Sequence, residues 1–310
     1  MQKDQKIYVA GHQGVIGSSI VKVLKGEGYT QLITKEKNEL DLLDEKSVSD
    51  FFSEHKPAYV FLCAAKSGGF FFANKNSPEV IFENIQIQNN VISQAHQNNV
   101  VKLMFFGCSS IYPKYANLPL KEHSLLSGPL LSEKIPFSIS KTTGAKLIEY
   151  LNREYQTCYL SVLPSNVYGT NDQMDPERAH VVALMLQKIH LAKHNNIPQV
   201  TFFGSGEADR DFIYADDLAQ ACLKLMKTPE SRGDFNIATG NEITVKEMAD
   251  IIKKEIGYQG EIVFDRNHHD GVLLKSQDIH KIKETGWEAK ISPEEGIKKL
   301  YNWYLESQTQ

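Results

Sequence analysis

With 310 residues, 41% of them hydrophobic and 23% charged, the chain can bury a full core, and its length suits two lobes or one large domain. A net charge of -4, a pI near 6.2 and lysines scattered between acids provide no basic field for a phosphate backbone, which argues against nucleic acid as a partner. No apolar run approaches the roughly 18 to 20 residues of a membrane span, and Cys63, Cys108, Cys158 and Cys222 form no CxxC pair, which argues against a disulfide framework or a structural zinc.

The opening "MQKDQKIYVAGHQG" runs into a strand with no signal-peptide core, so a cytoplasmic protein is expected. Strands are predicted at "KIYVAG", "QLITK", "AYVFLCAA", "KLMFFGCSS" and "YLSVLPSN", each a nearly continuous apolar run of the kind covered on both faces. Between them "GVIGSSIVKVLKGEG" and "VIFENIQIQNNVISQAHQNN" have helical spacing. After Gly169 the pattern changes: "TNDQMDPERAH" is a polar loop, a long helix starts near His180, "TVKEMADIIKKEIG" is an amphipathic helix and "GEIVFD" a short strand. The fold class expected is α/β, a Rossmann-type doubly wound parallel sheet with a smaller, interleaved C-terminal α/β lobe. Residues 1–166 and about 213–240 are assigned to the sheet domain, and about 167–212 and 241–310 to the second lobe.

Gly11, Gly14 and Gly17 follow the first strand directly and open a helix at Val15 and Ile16. That is the context of a dinucleotide site: a tight turn, close backbone approach to a pyrophosphate, and a helix N-terminus aimed at it. At the end of the second strand, where an NAD-preferring enzyme often places an acid, the chain offers Lys35 and Lys37, which favours a 2′-phosphate and hence NADP. Asp41 is expected near the adenine, and Ala64 and Ala65 along the middle of the cofactor.

"AGHQGVIGSSI", "ELDLLD", "AAKSGG", "SSIYPK", "LPSNVYGTND", "AHVVALML", "FGSGEADRDFIYADDLA" and "VFD" followed by "DG" and "GW" occur in order over nearly the whole chain. Together they resemble the GDP-L-fucose synthase family, extended short-chain dehydrogenase/reductases that epimerise C3 and C5 of GDP-4-keto-6-deoxy-mannose and reduce its C4 ketone with NADPH. The resemblance implies that Lys141 holds the nicotinamide ribose and lowers the pKa of a catalytic partner. Cys108 stands where the family has a serine on the substrate's C4 oxygen, with Ser109 beside it as a substitute, and Ser110 stands where the family has an epimerisation cysteine. His180 matches the other epimerisation group. Lys188 and Arg210 look like the residues on the nucleotide diphosphate, Lys188 departing from the usual arginine. Asn166 matches a residue near both ligands, Pro164 and His180 adjoin the cofactor, and Asp270 adjoins the substrate. The resemblance further implies a homodimer paired through helices at Val80 to Asn98 and Ile139 to Glu154.

In "IPFSISK" the family's tyrosine, four residues before the lysine, is Phe137. Its ring has the phenol's shape but no proton to donate, and general acid catalysis contributes on the order of 10²- to 10⁴-fold. Ser110 weakens epimerisation in the same way, because a hydroxyl titrates far above working pH where a thiol does not. A C4 ketoreductase that takes its ketone from a separate upstream epimerase is therefore expected, on a GDP-linked 6-deoxyhexose or heptose. A full GDP-L-fucose synthase and a non-catalytic binding homologue remain open, as does whether Phe137 is natural or engineered. A 4,6-dehydratase is disfavoured, since "CSSIYPK" carries no acidic pair, and no step requires a metal.

Overall fold

The computed structural model describes all residues except 70–71, 73–74, 131–134, 269, 271–273 and 309–310, so Gly271 of the "DG" pair lies outside the described residues. Its centre is a six-stranded sheet of β1 (Ile7–Ala10), β2 (Leu32–Ile33), β3 (Tyr59–Leu62), β4 (Lys102–Phe106), β5 (Leu160–Pro164) and β9 (Gly233–Ile237). The order is β2-β1-β3-β4-β5-β9, with every pairing parallel. Parallel strands need crossovers, and helices covering both faces explain why the strands read as unbroken apolar runs.

Side chains alternate between those faces with period two. Ile7, Val9, Phe61, Met104, Phe106 and Val162 enter one core with α1 (Val15–Gly26) and α6 (Ala215–Lys227). Tyr8, Ala10, Val60, Leu62, Leu103, Phe105 and Leu163 enter the other, against α2 (Glu45–His55), α3 (Ser77–Gln97) and α4 (Ile135–Tyr155). The sequence analysis assigned no element to α2; its N-terminus is capped by Asp44, whose carboxylate accepts from the N–H groups of Lys46 and Ser47. α3 and α4 pack on each other, joined by a buried bond from Gln88 Nε2 to the Ser140 carbonyl at 2.9 Å.

A third core lies under α5 (Val181–His194), α7 (Val245–Ile256) and α9 (Pro293–Ser307), beyond the short α8 (His280–Lys283). There β8 (Asp209–Tyr214) pairs with β6 (Asn166–Tyr168), β10 (Glu242–Thr244) and β12 (Leu274–Lys275), and β7 (Gln199–Phe203) pairs with β11 (Glu261–Asp265). The start of α7 has a full capping box, Thr244 with Glu247, and its end has Gly257 at φ 71°.

One buried carboxylate links the two regions. Asp211, 1% exposed in β8, accepts from Ser165 Oγ at 2.8 Å, Thr239 N at 3.0 Å, Thr239 Oγ1 at 2.8 Å and Gly240 N at 2.7 Å. Ser165 follows β5 and Thr239 follows β9, so a single side chain ties two strand ends of the large sheet to the smaller one. Asp211→Ala strands these donors and is expected to cost roughly 3 kcal/mol or more. Asp211→Asn, which keeps the shape and part of the acceptor capacity, should lose less. Urea midpoints of the two variants check the order.

Candidate active site

The chain runs from β1 outward to β2 and then returns to β3 on the other side of β1, so the strand order reverses between β1 and β3. Ligands in open α/β sheets bind outside the carboxyl ends of the strands at such a point. Gly11 follows β1 there with φ +78°, and a Cβ on it would come within 2.7 Å of the Ala64 amide nitrogen and 2.8 Å of Ala64 Cα, just past β3. Gly17 is packed against the Gly11 carbonyl with no room for a side chain. Gly14 is the N-cap of α1 and supplies no side-chain cap, leaving the first turn's N–H groups, through Val15 and Ile16, for an external acceptor. A turn with no space for Cβ atoms and an uncapped helix start fit a dinucleotide pyrophosphate.

At the ribose end, the Lys35 ammonium lies 3.2 Å from Glu39, Lys37 is exposed, and the Asp41 carboxylate accepts from Leu43 N at 3.0 Å. Glu36, not singled out from the sequence, has a carboxylate that accepts from Gln13 Nε2 of the glycine turn at 3.0 Å. Ala64 and Ala65 are half-buried at the end of β3.

The chemical end gathers at β4 and α4. Past Phe106 the chain turns through Gly107 to Cys108, and Ser109–Ile111 forms one 3₁₀ turn. Buried Ser138, at the start of α4, donates to the Ser110 carbonyl at 2.8 Å and lies 3.1 Å from Ser110 Oγ, which is itself 2.8 Å from Cys108 Sγ. One turn later on α4, Lys141 is 4% exposed, with Nζ 4.8 Å from the Phe105 ring centroid and 5.6 Å from that of Phe137. Burial pushes the Lys141 ammonium down to about 8, opposed by the neighbouring Cys108 and Cys63 thiols. Burial pushes the Cys63 thiol well up. Ser138 was also missed by the sequence analysis; its position in "IPFSISK", one residue after Phe137, was the only hint.

His180 is the N-cap of α5, and its loop meets the β3 side of the crevice where Gly69 N donates to the Arg178 carbonyl at 2.8 Å. Asn166 begins β6 right after the strand end carrying Pro164 and donates to the Asp211 carbonyl at 3.0 Å. Arg210 donates to the carbonyls of Asp209 at 2.7 Å and Asp270 at 3.3 Å, and burial lowers its pKa. The Asp270 carboxylate accepts from Ser205 N at 2.6 Å. Lys188, exposed on α5, holds its ammonium 5.7 Å from the Phe202 ring. Among the described residues no cluster of three or more metal-ligating side chains occurs, and no helix is long and apolar enough to cross a membrane.

Residues 7–238 match the profile of the NAD dependent epimerase/dehydratase family. The chain belongs to this family. Within it the resemblance to GDP-L-fucose synthases runs end to end: the chain is 39% identical over 313 residues to the GDP-L-fucose synthase of Escherichia coli, covering 98% of each. It is 34% identical to the GDP-L-colitose synthase of Yersinia pseudotuberculosis, covering 97% of this chain and 98% of that one. Among solved structures, a GDP-mannoheptose C4 reductase from Campylobacter jejuni with NADP bound superposes with a TM-score of 0.87 at 36% identity, covering 98% and 99% of the two chains. A GDP-6-OMe-4-keto-L-xylo-heptose reductase from C. jejuni gives 0.92 at 34%, covering 99% of both. At the end of β4 the structure brings together the buried Lys141 ammonium and the rings of Phe105 and Phe137.

Proposed function

We propose that the chain is an NADPH-dependent C4 ketoreductase acting on a GDP-linked 4-keto sugar, a 6-deoxyhexose or a related heptose. The observation that carries this reading is Lys141, a buried ammonium one helical turn after an aromatic ring, facing the strand ends that also hold the glycine turn. NADP is the cofactor, and its dihydronicotinamide when bound supplies the hydride that reduces the ketone. The chain's own part is to hold the nucleotide on the Gly11–Gly17 turn, hold the sugar carbonyl near Cys108 and Ser109, and deliver a proton. Phe137 lacks that proton, so turnover is slow. Epimerase function is reduced or absent, because Ser110 supplies a hydroxyl that is locked in bonds to Cys108 and Ser138 and titrates too high to move a carbon-bound proton.

The large sheet would hold NADP, and the lobe built on 167–212 and 241–310 would hold the GDP-sugar, with Asn166, Lys188, Arg210 and Asp270 towards its nucleotide. A homodimer paired through α3 and α4 is supported by Phe82 at 73%, Tyr150 at 48% and Ile139 at 39% exposure on those helices. Such large hydrophobic side chains on an otherwise polar helix pair suit burial against a second copy.

NADPH oxidation with GDP- and UDP-linked 4-keto sugars in deuterated water tests the reading. Slow oxidation with the GDP-sugar alone, and a product without solvent deuterium at C3 and C5, is the expected result. Deuterium at both carbons would instead establish the full synthase, with His180 as one of its groups. A protein that binds both ligands and turns over nothing, even as Phe137→Tyr, is a binding homologue.

A further inference from the structure

Among the described residues, the groups named for this crevice that could move a proton are Cys63, Cys108, Ser109, Ser110, Lys141 and His180, and none of them is a phenol. The two serines are excluded as acids by their hydroxyl chemistry. His180 is the N-cap of α5 and stands on a different element from the β4 end and α4, which carry Cys108 and Lys141. Cys108 leaves the end of β4, and the Lys141 ammonium lies 4.8 Å from the ring of Phe105 in the same strand, so both stand at one strand end. The thiol is half-buried and held in place, its sulfur 2.8 Å from Ser110 Oγ, which is fixed in turn by Ser138. Among the described residues the Lys141 ammonium has no hydrogen bond and no ion pair, only the ring faces of Phe105 and Phe137. A buried cation without a counter-anion favours any anion formed beside it. Cys63, the other thiol beside Lys141, is kept protonated by burial.

We propose that Cys108 is the proton donor of this chain, and that Lys141 is the cation that stabilises the thiolate left behind. The inference rests on the ketoreductase reading. The ketone carbon gains the hydride and its oxygen becomes an alkoxide. The Cys108 S–H bond breaks as an O–H bond forms on that oxygen, so the sugar is reduced to an alcohol and the sulfur carries the negative charge. Lys141 then returns a proton to sulfur and is reprotonated from water.

Two readouts test the pair. In the free protein, alkylation of Cys108 by iodoacetamide, followed by peptide mass spectrometry across pH, should show a midpoint that moves up by about one unit or more in Lys141→Met. An unchanged midpoint overturns the pairing. In the enzyme, Cys108→Ser should lower kcat for NADPH oxidation by roughly 10-fold or more with KM little changed. The same substitution in a Phe137→Tyr background should cost under about 3-fold, because the phenol then supplies the proton. Equal losses in both backgrounds mean a structural thiol and overturn the inference while leaving the ketoreductase intact. Absence of NADPH oxidation in every variant overturns the ketoreductase, and the inference with it.

Discussion

Phe137→Tyr is expected to raise kcat for reduction of a GDP-4-keto sugar by roughly 10²-fold, with KM for both ligands nearly unchanged. Phe137 and Lys141 are four residues apart on α4 and so share a face, with the ammonium 5.6 Å from the ring centroid. A hydroxyl on that ring would have its phenolate form favoured by the buried cation, which brings a group that ordinarily titrates near 10 towards the working range. The ring is half-buried and already in place, so the added atom changes proton supply far more than shape. General acid catalysis can contribute up to about 10⁴-fold; the smaller gain is expected because Cys108 already supplies part of that term. Binding of NADPH and sugar with no faster oxidation would show that Phe137 does not occupy the acid's position.

Gly11→Ala is expected to weaken NADPH binding by about 100-fold, near 2.7 kcal/mol, and to lower stability by a similar amount. At φ +78° a Cβ alone costs roughly 1 to 2 kcal/mol, and here it would also meet the backbone of Ala64 at 2.7 Å. The Ala64 backbone has little freedom to retreat, because Cys63 N is bonded to the Ala10 carbonyl at 3.0 Å across β1 and β3. Either strand must shift, and the pyrophosphate cradle lies between them. Gly233→Ala is the control: its φ is +79°, but nothing lies within 4 Å of the added Cβ. That variant should lose about 1 kcal/mol of stability and keep its NADPH affinity, as read by thermal unfolding and cofactor titration. Equal NADPH affinity in both variants would dissociate the Gly11 turn from the cofactor.

Much of the site was legible because its signals are local. The unbroken apolar runs at Ile7–Ala10, Tyr59–Leu62 and Lys102–Phe106 require cover on two faces, and the glycines after the first run require a tight turn into a helix. The same locality exposed Phe137, since a residue four before a lysine on one helix face can be read without a fold. Helix α2 escaped because only Val48, Phe51 and Phe52 are buried in it, too few apolar positions to stand out among its polar neighbours.

The sequence by itself determined the strand and helix types, the glycine turn and the identities of the groups that can move a proton. Tertiary structure alone decided which of those groups meet. Asp211 collects donors from the ends of two strands that are distant in the chain, and one of four aspartates inside "DRDFIYADD" gives no sign of them. Cys108 reaches Ser110 by a local turn, but the placing of Lys141 against Phe105 at the same strand end depends on α4 folding back over β4. The physical reason is that strand order and crossover placement fix which ends converge, and those follow from packing of whole faces rather than from any residue's neighbours in sequence. The "IPFSISK" segment placed Phe137 four residues before Lys141; only the fold set that lysine against the ring of Phe105, at the strand end from which Cys108 leaves.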